Sequence, residues 1–102
     1  FFLAAGFYRP HMPLTAPKIY WDMYDRAQFA LPANFHQDDD GIPRGDWNEV
    51  RRYGDCPPSG PMPEDKALEI IHGYYASVTF VDAQIGKVLD ELDLLKQVAI
   101  SS

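Results

Sequence analysis

One histidine lies where an imidazole could act on a bound group. His11 ends the turn Arg9-Pro10-His11, directly after an apolar run at residues 1–8. If that run is a buried strand of an α/β sheet, His11 lies just past the carboxyl end of the strand, where open α/β sheets bind ligands. An imidazole there can donate to an anion or hold a proton for a leaving group near neutral pH. The alternative is a loop histidine without a catalytic role.

The other residues that could bind a metal have weaker patterns. His36 lies beside the acidic run Asp38-Asp39-Asp40 and is expected at the surface, and His72 lies on a helical stretch and is expected to pack. No two histidines are spaced i, i+4, and no His/Cys pair has the spacing of zinc ligands. The acidic run lacks the alternating carboxylates and the closing Glu of a calcium loop. We therefore predict a solvated turn there and no metal site in the segment.

The composition narrows the class of partner. The chain has 102 residues, with 9 Lys and Arg against 15 Asp and Glu, which gives a formal net charge of −6. An acidic chain lacks the basic surface that binds a phosphate backbone, so we expect no nucleic acid partner. No apolar run approaches the roughly 20 residues that span a membrane, so no membrane partner is expected either.

The fold class follows from the apolar run before His11. A continuous apolar run at residues 1–8 predicts a strand buried on both faces, as in a parallel sheet. Residues 98–100 could begin a second strand, but one strand cannot form a sheet. We therefore expect an α/β fold, of which this chain is a part cut from a larger protein.

A short helix and a long loop are predicted after His11. Apolar residues at i, i+3, i+4 and i+7 from Tyr20 to Ala27 predict a helix that follows Pro17 and ends near residue 28. Residues 30–63 are rich in Pro, Gly and Asp and lack periodicity, which predicts an irregular loop. Loops of this length are usually functional or wrapped over a larger body.

The last part of the chain has the clearest helical pattern. Its apolar residues are spaced 4-3-4-3-4-3-4-3, and acidic Glu64 and Asp65 at the start and Lys96 at the end suit the helix dipole. Such spacing is also typical of a coiled coil, so a non-enzymatic interaction module that dimerises through helix 64–96 is one alternative. Flanking apolar residues widen the face, which favours a helix packed on a sheet. The spaced residues are Ala67, Ile71, Tyr74, Val78, Val81, Ile85, Val88, Leu92 and Leu95.

Two blocks of the sequence resemble the sulfatases, in particular the iduronate-2-sulfatase-like branch. Residues 1–18, FFLAAGFYRPHMPLTAPK, are similar to a segment in which an FFLAVG strand leads into a Lys/Arg-Pro-His turn, a Pro-Lys pair and a short aromatic helix. Residues 73–89, GYYASVTFVDAQIGKVL, resemble the long helix of the same family. The blocks occur in the family's order, with a variable insert between them.

The resemblance implies an alkaline-phosphatase-like α/β fold, a large mixed sheet between helix layers, of which residues 1–102 form a partial catalytic domain. Sulfatases hydrolyse sulfate esters with a formylglycine, made from the first residue of Cys/Ser-x-Pro-x-Arg, and a divalent metal, usually calcium. By position, His11 matches the family's catalytic histidine, which contacts the sulfate and assists the leaving oxygen. Arg9 matches a basic position beside it, where substrate binding and a structural role are both open.

The formylglycine and the metal ligands are expected outside this segment of the parent enzyme. Cys56-Pro57-Pro58-Ser59-Gly60 echoes the formylglycine motif, but Gly60 stands where Arg is required, and the family places the motif upstream of the Pro-His turn. Cys56 is therefore interpreted as a loop thiol. The isolated 102 residues are expected to hold neither cofactor, to lack sulfatase activity and to self-associate through apolar faces.

The substrate class also follows from the resemblance. It implies a sulfated small molecule or saccharide for the parent enzyme. A phosphatase or phosphonate hydrolase of the same fold is a second alternative, because fold alone does not decide between sulfate and phosphate esters. Sulfatases are often exported, so the resemblance points to a periplasmic or extracellular location.

Overall fold

The long C-terminal helix is the element around which the other elements are arranged. The computed structural model describes residues 2–35, 48–53, 56–58 and 60–101. They form, in chain order, α1 (Lys18–Trp21), a 3-10 turn (Arg26–Gln28), α2 (Asn48–Arg51) and α3 (Glu64–Ser101). None of these helices is long and apolar enough to cross a membrane.

α3 begins at the predicted residue and continues past Lys96 to Ser101. Glu64 and Asp65 lie in its first turn, where carboxylates complement the positive end of the helix dipole. The Ala67 N–H donates to the Pro63 carbonyl at 2.9 Å, so the helical hydrogen bonding starts at the proline. The 38 residues of α3 correspond to a rod of about 57 Å at roughly 1.5 Å per residue. The predicted long helix is confirmed.

The short helix predicted after Pro17 is present but interrupted. α1 ends at Trp21, and a separate 3-10 turn follows at Arg26–Gln28. The Asp25 carboxylate accepts a hydrogen bond from the Ala27 N–H at 3.0 Å. An Asp side chain that binds a nearby N–H in this way favours a new turn over a continuing helix. The prediction of one continuous helix to residue 28 is therefore wrong.

The predicted α/β fold class is also wrong, because none of the described residues forms a strand. Residues 2–8 have no regular secondary structure, and Phe2 and Leu3 are 90% and 77% exposed rather than buried. Residues 98–100 belong to α3. A strand needs a neighbour to pair its backbone N–H and C=O groups. The described part of the chain gives residues 2–8 no such neighbour, and it is helical throughout its regular structure.

The core lies between α1, the 3-10 turn and the first half of α3, not between α3 and a sheet. Ala67, His72, Ala76 and Ser77 of α3 are buried there. From residue 87 to residue 98, by contrast, every residue of α3 is exposed. The molecule is accordingly elongated, at 63 × 30 × 25 Å, and its radius of gyration of 18.9 Å exceeds the roughly 13 Å of a compact chain of this length.

The loop predicted over residues 30–63 contains one helical turn, α2, which the sequence pattern did not predict. Arg51 ties this turn to the segment that leads into α3. Its Nη1 donates to the Pro57 carbonyl at 2.5 Å, and its Nη2 donates to the Gly60 carbonyl at 2.7 Å. α2 is thus held from its own last residue by two charge-assisted hydrogen bonds.

Candidate functional site around His11

The loop between the apolar run and α1 closes on itself at His11. The His11 N–H donates to the Tyr8 carbonyl at 3.0 Å, and the two side-chain rings lie 4.8 Å apart between centroids. The Arg9–Pro10 and Met12–Pro13 peptide bonds are cis. Prolines lack an N–H and fix φ, so a chain with this spacing of prolines turns rather than continuing a helix or strand. The turn leaves about half of the His11 side chain exposed.

The His11 imidazole has one nitrogen bound to its own loop and one directed outward. Nδ1 lies 2.9 Å from the Met12 carbonyl oxygen. A carbonyl only accepts, so the geometry assigns the hydrogen of this contact to Nδ1. Nε2 lies 3.5 Å from Oε1 of Glu49, and the Glu49 side chain is also about half exposed. His11 is therefore arranged to hold a proton or contact an anion through Nε2.

Arg9 makes hydrogen bonds within the same loop. Its Nη1 donates to the His11 carbonyl at 3.1 Å and to the Pro13 carbonyl, and its Nη2 donates to the Thr15 hydroxyl. The guanidinium carbon also lies 5.9 Å from the centroid of the Tyr8 ring. These contacts give Arg9 a structural role in the loop that carries His11. Substrate binding by Arg9 stays a prediction.

His72 joins the end of α1 to α3. Its Nε2 donates to the Trp21 carbonyl at 2.8 Å. Its ring lies among those of Trp21, Phe29 and Tyr24, with centroids 4.7, 5.7 and 6.3 Å away. The residue is 8% exposed, and its Nδ1 has no partner among the described residues. The packing role predicted for His72 is therefore confirmed.

Gly73 lets the His11 loop approach the helix closely. A Cβ at this position would lie 3.0 Å from Cη2 of Trp21, 3.2 Å from Cβ of Leu14 and 3.3 Å from the Leu14 carbonyl oxygen. The space that a side chain of residue 73 would occupy is thus filled by Leu14, which precedes α1, and by Trp21, the last residue of α1. Close approach of another backbone is a common reason for glycine inside a helix.

A hydrogen-bonded pair fixes the chain beyond α1 to the same helix. The Thr79 hydroxyl donates to the Tyr75 carbonyl at 3.1 Å, which uses its one hydrogen. At the 2.5 Å contact between the Tyr24 and Thr79 hydroxyls, the Tyr24 hydroxyl is therefore the donor. The Tyr24 ring also contacts those of Phe29 and Tyr75, at 6.0 and 5.5 Å between centroids. His11 thus lies on a loop whose following segment is anchored to α3 at several points.

A cavity of about 270 Å³ lies behind the loop, against α3. Its polar lining includes Lys66 and Glu69, which form an ion pair at 2.7 Å with the Lys66 side chain 12% exposed. The cavity is lined by Met12, Pro13 and Leu14 of the His11 loop but not by His11, so it does not enclose the outward nitrogen of His11. The remaining lining residues are Trp21, Tyr53, Cys56, Ile70 and Gly73.

Cys56 is a half-buried free thiol in the lining of that cavity. Gly60, at the position where a formylglycine motif carries Arg, has a φ of 81°. This left-handed conformation suits glycine and strains a residue with a side chain. The backbone geometry therefore agrees with the interpretation of Cys56 as a loop thiol.

The described side chains do not form a site for the divalent metal that the resemblance implies. Among them, no group of three or more His, Cys, Asp or Glu residues could hold a metal ion. His36 and the acidic run at residues 38–40 lie outside the described residues.

Glu49 is the neighbour of His11 that the sequence did not single out. It lies in the first turn of α2, far from His11 along the chain. The local signal, an acidic residue at the start of a short helix, does not point to His11. Only the folded chain brings the two side chains together.

Comparison with known proteins identifies relatives over most of the chain, although no family model matches it. The chain is 36% identical to the iduronate 2-sulfatase of Mus musculus and 33% identical to that of Homo sapiens, in each case over 94% of the chain and 19% of the relative. A sulfatase of Formosa agariphila is 34% identical over 90% of the chain and 18% of that protein. The chain thus spans about a fifth of the length of these relatives. Over nearly all of its length the chain is similar to a segment of sulfatases, iduronate 2-sulfatases among them, which confirms the resemblance.

Proposed function

We propose that residues 1–102 are part of the catalytic domain of a sulfatase that hydrolyses sulfate esters. The observation that carries this proposal is the outward Nε2 of His11, in a segment that matches sulfatases of known name. The imidazole is half-exposed, its Nδ1 is hydrogen-bonded within its loop, and its Nε2 lies 3.5 Å from Glu49, beyond a normal hydrogen bond. This arrangement suits contact of Nε2 with an anionic ester. His11 is proposed as the catalytic residue that this segment contributes.

Within the reaction, His11 has two tasks that its geometry suits. The Nε2–H of a protonated ring can donate to an oxygen of the bound sulfate group, and it can pass its proton to the ester oxygen as that oxygen leaves. Met12 keeps Nδ1 hydrogen-bonded in both states, since its carbonyl accepts from Nδ1 whether or not Nε2 is protonated. Arg9 holds the loop in which both residues lie.

The cofactors belong to the proposal for the complete protein. We place the formylglycine and the ligands of the metal, calcium or another divalent ion, outside these 102 residues, as the resemblance implies. When bound, they supply the nucleophile for sulfur and positive charge for the sulfate oxygens.

The substrate proposed is a sulfated small molecule, and a sulfated saccharide in particular. The mouse and human relatives are named iduronate 2-sulfatases, which supports a sulfate ester on a sugar. A relative from Clostridium perfringens, 36% identical over 87% of the chain, is named an arylsulfatase, so a phenolic ester is the other class to test.

The test uses the complete protein that contains these residues. We expect it to release sulfate from aryl or sugar sulfates, and His11→Ala to lower kcat by about 100-fold or more, the usual range for loss of a general acid. His36→Ala is the matched control and should keep the rate. Absence of sulfate release, preference for the phosphate ester of the same alcohol, or an unimpaired His11→Ala variant would each contradict the proposal.

The 102 residues by themselves are predicted to be inactive, because the nucleophile is placed outside them. The purified chain, incubated with 4-nitrophenyl sulfate and calcium, should release 4-nitrophenol no faster than its His11→Ala variant. Turnover that depends on His11 would show that these residues alone form a working site.

The interaction module is kept as a second candidate because of one observation. Val88, Leu92 and Leu95 of the 4-3 pattern are 40%, 43% and 54% exposed on the free half of α3. A helix that dimerises would bury this stripe.

A further inference from the structure

We propose that Glu49 is a positioning residue for His11, a role that rests on the sulfatase function proposed above. The carboxylate acts through the imidazole ring and is not itself in contact with substrate. The proposal starts from one contact, the 3.5 Å between Oε1 of Glu49 and Nε2 of His11.

The two nitrogens of His11 face two acceptors from different parts of the chain. Nδ1 is paired with the Met12 carbonyl at 2.9 Å, which fixes one edge of the ring. A single hydrogen bond leaves the ring free to tilt about it. A carboxylate near Nε2 restricts that freedom when the ring is protonated, because both N–H groups then face an acceptor. Glu49 is the acceptor that the fold places there.

Glu49 is itself held by the structure that follows it. Arg51, two residues later, donates to the carbonyls of Pro57 and Gly60 at 2.5 and 2.7 Å, so α2 is tied to the segment that leads into α3. The His11 loop is tied to α3 where Leu14 and Trp21 pack against Gly73. The His11 loop is thus held against α3, and α2 is held to the segment that leads into α3. The fold therefore sets the distance between His11 and Glu49.

At 3.5 Å the contact is longer than a normal hydrogen bond. The one hydrogen that Nε2 carries in the protonated ring is therefore not committed to Glu49 and stays available to the substrate. An exposed pair of this kind contributes little to stability. The consequence of the contact is therefore expected in the reaction rather than in folding.

The proton balance defines what Glu49 must and must not do. Overall, an ester ROSO3⁻ and water give ROH and HSO4⁻. The S–O bond to the alcohol breaks as sulfur forms a new S–O bond to the oxygen of the nucleophile, and the alcohol oxygen takes the proton from Nε2. Over the whole cycle, the water supplies that new oxygen and hydrogen to the sulfate product and returns its other proton to the ring. The Glu49 carboxylate gains and loses none. It attracts the ring in the protonated form, in which Nε2 carries a hydrogen, and so favours the ring orientation from which that proton is transferred.

The test compares leaving groups in the complete protein. An alkyl sulfate needs protonation of its oxygen, whereas 4-nitrophenolate leaves without it. For Glu49→Ala we expect kcat to fall about tenfold with the alkyl ester and less than about twofold with 4-nitrophenyl sulfate, with KM unchanged. Glu49→Gln, which keeps an acceptor oxygen, should recover part of the loss. In a His11→Ala background, Glu49→Ala should cause no further loss.

The matched control is Glu91→Ala, which removes a carboxylate from the exposed half of α3 and should leave both rates unchanged. If Glu49→Ala matches the wild type on the alkyl ester while His11→Ala is impaired, the positioning role is wrong and the proposed function stands. Equal losses with both esters would also overturn it, since they indicate a general structural defect. If the wild type hydrolyses neither ester, the proposed function and this role fail together.

Discussion

Arg9 and His11 lie two positions apart, yet the loop uses them in opposite ways. The Arg9 guanidinium donates hydrogen bonds to the His11 and Pro13 carbonyls and to the Thr15 hydroxyl. The His11 ring donates from Nδ1 to the Met12 carbonyl and directs Nε2 outward. A basic residue two positions from a histidine proposed as catalytic is easily interpreted as a substrate ligand. Its hydrogen bonds here indicate that it shapes the turn.

Arg9→Lys tests this role, because lysine keeps the charge but cannot bridge three acceptors from one planar group. We expect the backbone amide NMR signals of His11, Met12, Leu14 and Thr15 to shift. The free energy of unfolding should fall by about 1 kcal/mol, since the bonds are partly exposed. Arg26→Lys, in the exposed 3-10 turn, is the control and should change neither. Unchanged signals in Arg9→Lys would instead favour a free guanidinium, available to substrate.

The sequence predicted His11 as a functional candidate because its position after an apolar run and its Pro-His turn are local features. It did not predict Glu49, because contacts between residues far apart in the chain leave no trace in spacing. For Arg9 the two roles could not be separated beforehand. Charge and position are visible in the sequence, whereas the acceptors around the guanidinium depend on the conformation of the turn.

Among the secondary-structure elements, α3 was predicted correctly, whereas the strand predicted at the N-terminus is absent from the described residues. The 4-3 spacing and the acidic first turn of α3 are properties of one continuous segment, so the pattern alone is sufficient. A strand forms only when another strand pairs with its backbone. The apolar residues 2–8 indicate that the segment suits a buried strand, but not whether a pairing strand is present. The interruption between α1 and the 3-10 turn likewise depends on one side chain, Asp25, accepting from the Ala27 N–H.

Two glycines of α3 offer a matched pair for the packing of α1 on the helix. At Gly73 an added Cβ would press on Trp21 and Leu14, whereas at Gly86 nothing lies within 4 Å. Alanine favours a helix over glycine by about 1 kcal/mol, and overpacking costs about 1–3 kcal/mol. We expect Gly86→Ala to stabilise the chain by about 1 kcal/mol and Gly73→Ala to destabilise it by a similar amount.

Urea unfolding followed by circular dichroism at 222 nm measures both changes. The sign difference between the two variants is the result that matters, because helix propensity is the same in each. If Gly73→Ala is as stabilising as Gly86→Ala, then Leu14 and Trp21 are not packed against the helix as described, and the anchoring of the His11 loop would need another explanation.

For the molecule as a whole, the exposed surface is large. The accessible area is 8136 Å², where a compact monomer of 11.6 kDa exposes about 5,800 Å². Much of the excess is apolar, including the side chains of Phe2, Leu3 and the leucines at the end of α3. Apolar patches beyond a few hundred Å² are uncommon on soluble monomers and usually mark an interface.

We therefore predict that the isolated chain self-associates. Light scattering should give a mass above 11.6 kDa at high concentration. Association through a broad face would be weakened both by Leu92→Glu with Leu95→Glu and by Leu89→Glu with Leu94→Glu. A coiled-coil seam would respond to the first pair alone. A mass of 11.6 kDa at every concentration contradicts the prediction.

The uneven covering of α3 has a consequence for its persistence in time. Residues 67–77 include the buried positions of α3, beside the aromatic rings of the N-terminal segment, whereas residues 87–98 are all exposed. Local opening is least costly where few apolar contacts must break. In hydrogen–deuterium exchange, backbone amides of the first stretch should be protected for far longer than those of the second. The single helix α3 would then exchange as two segments. A partner that covers the exposed leucines would be detected because it slows hydrogen–deuterium exchange in residues 87–98.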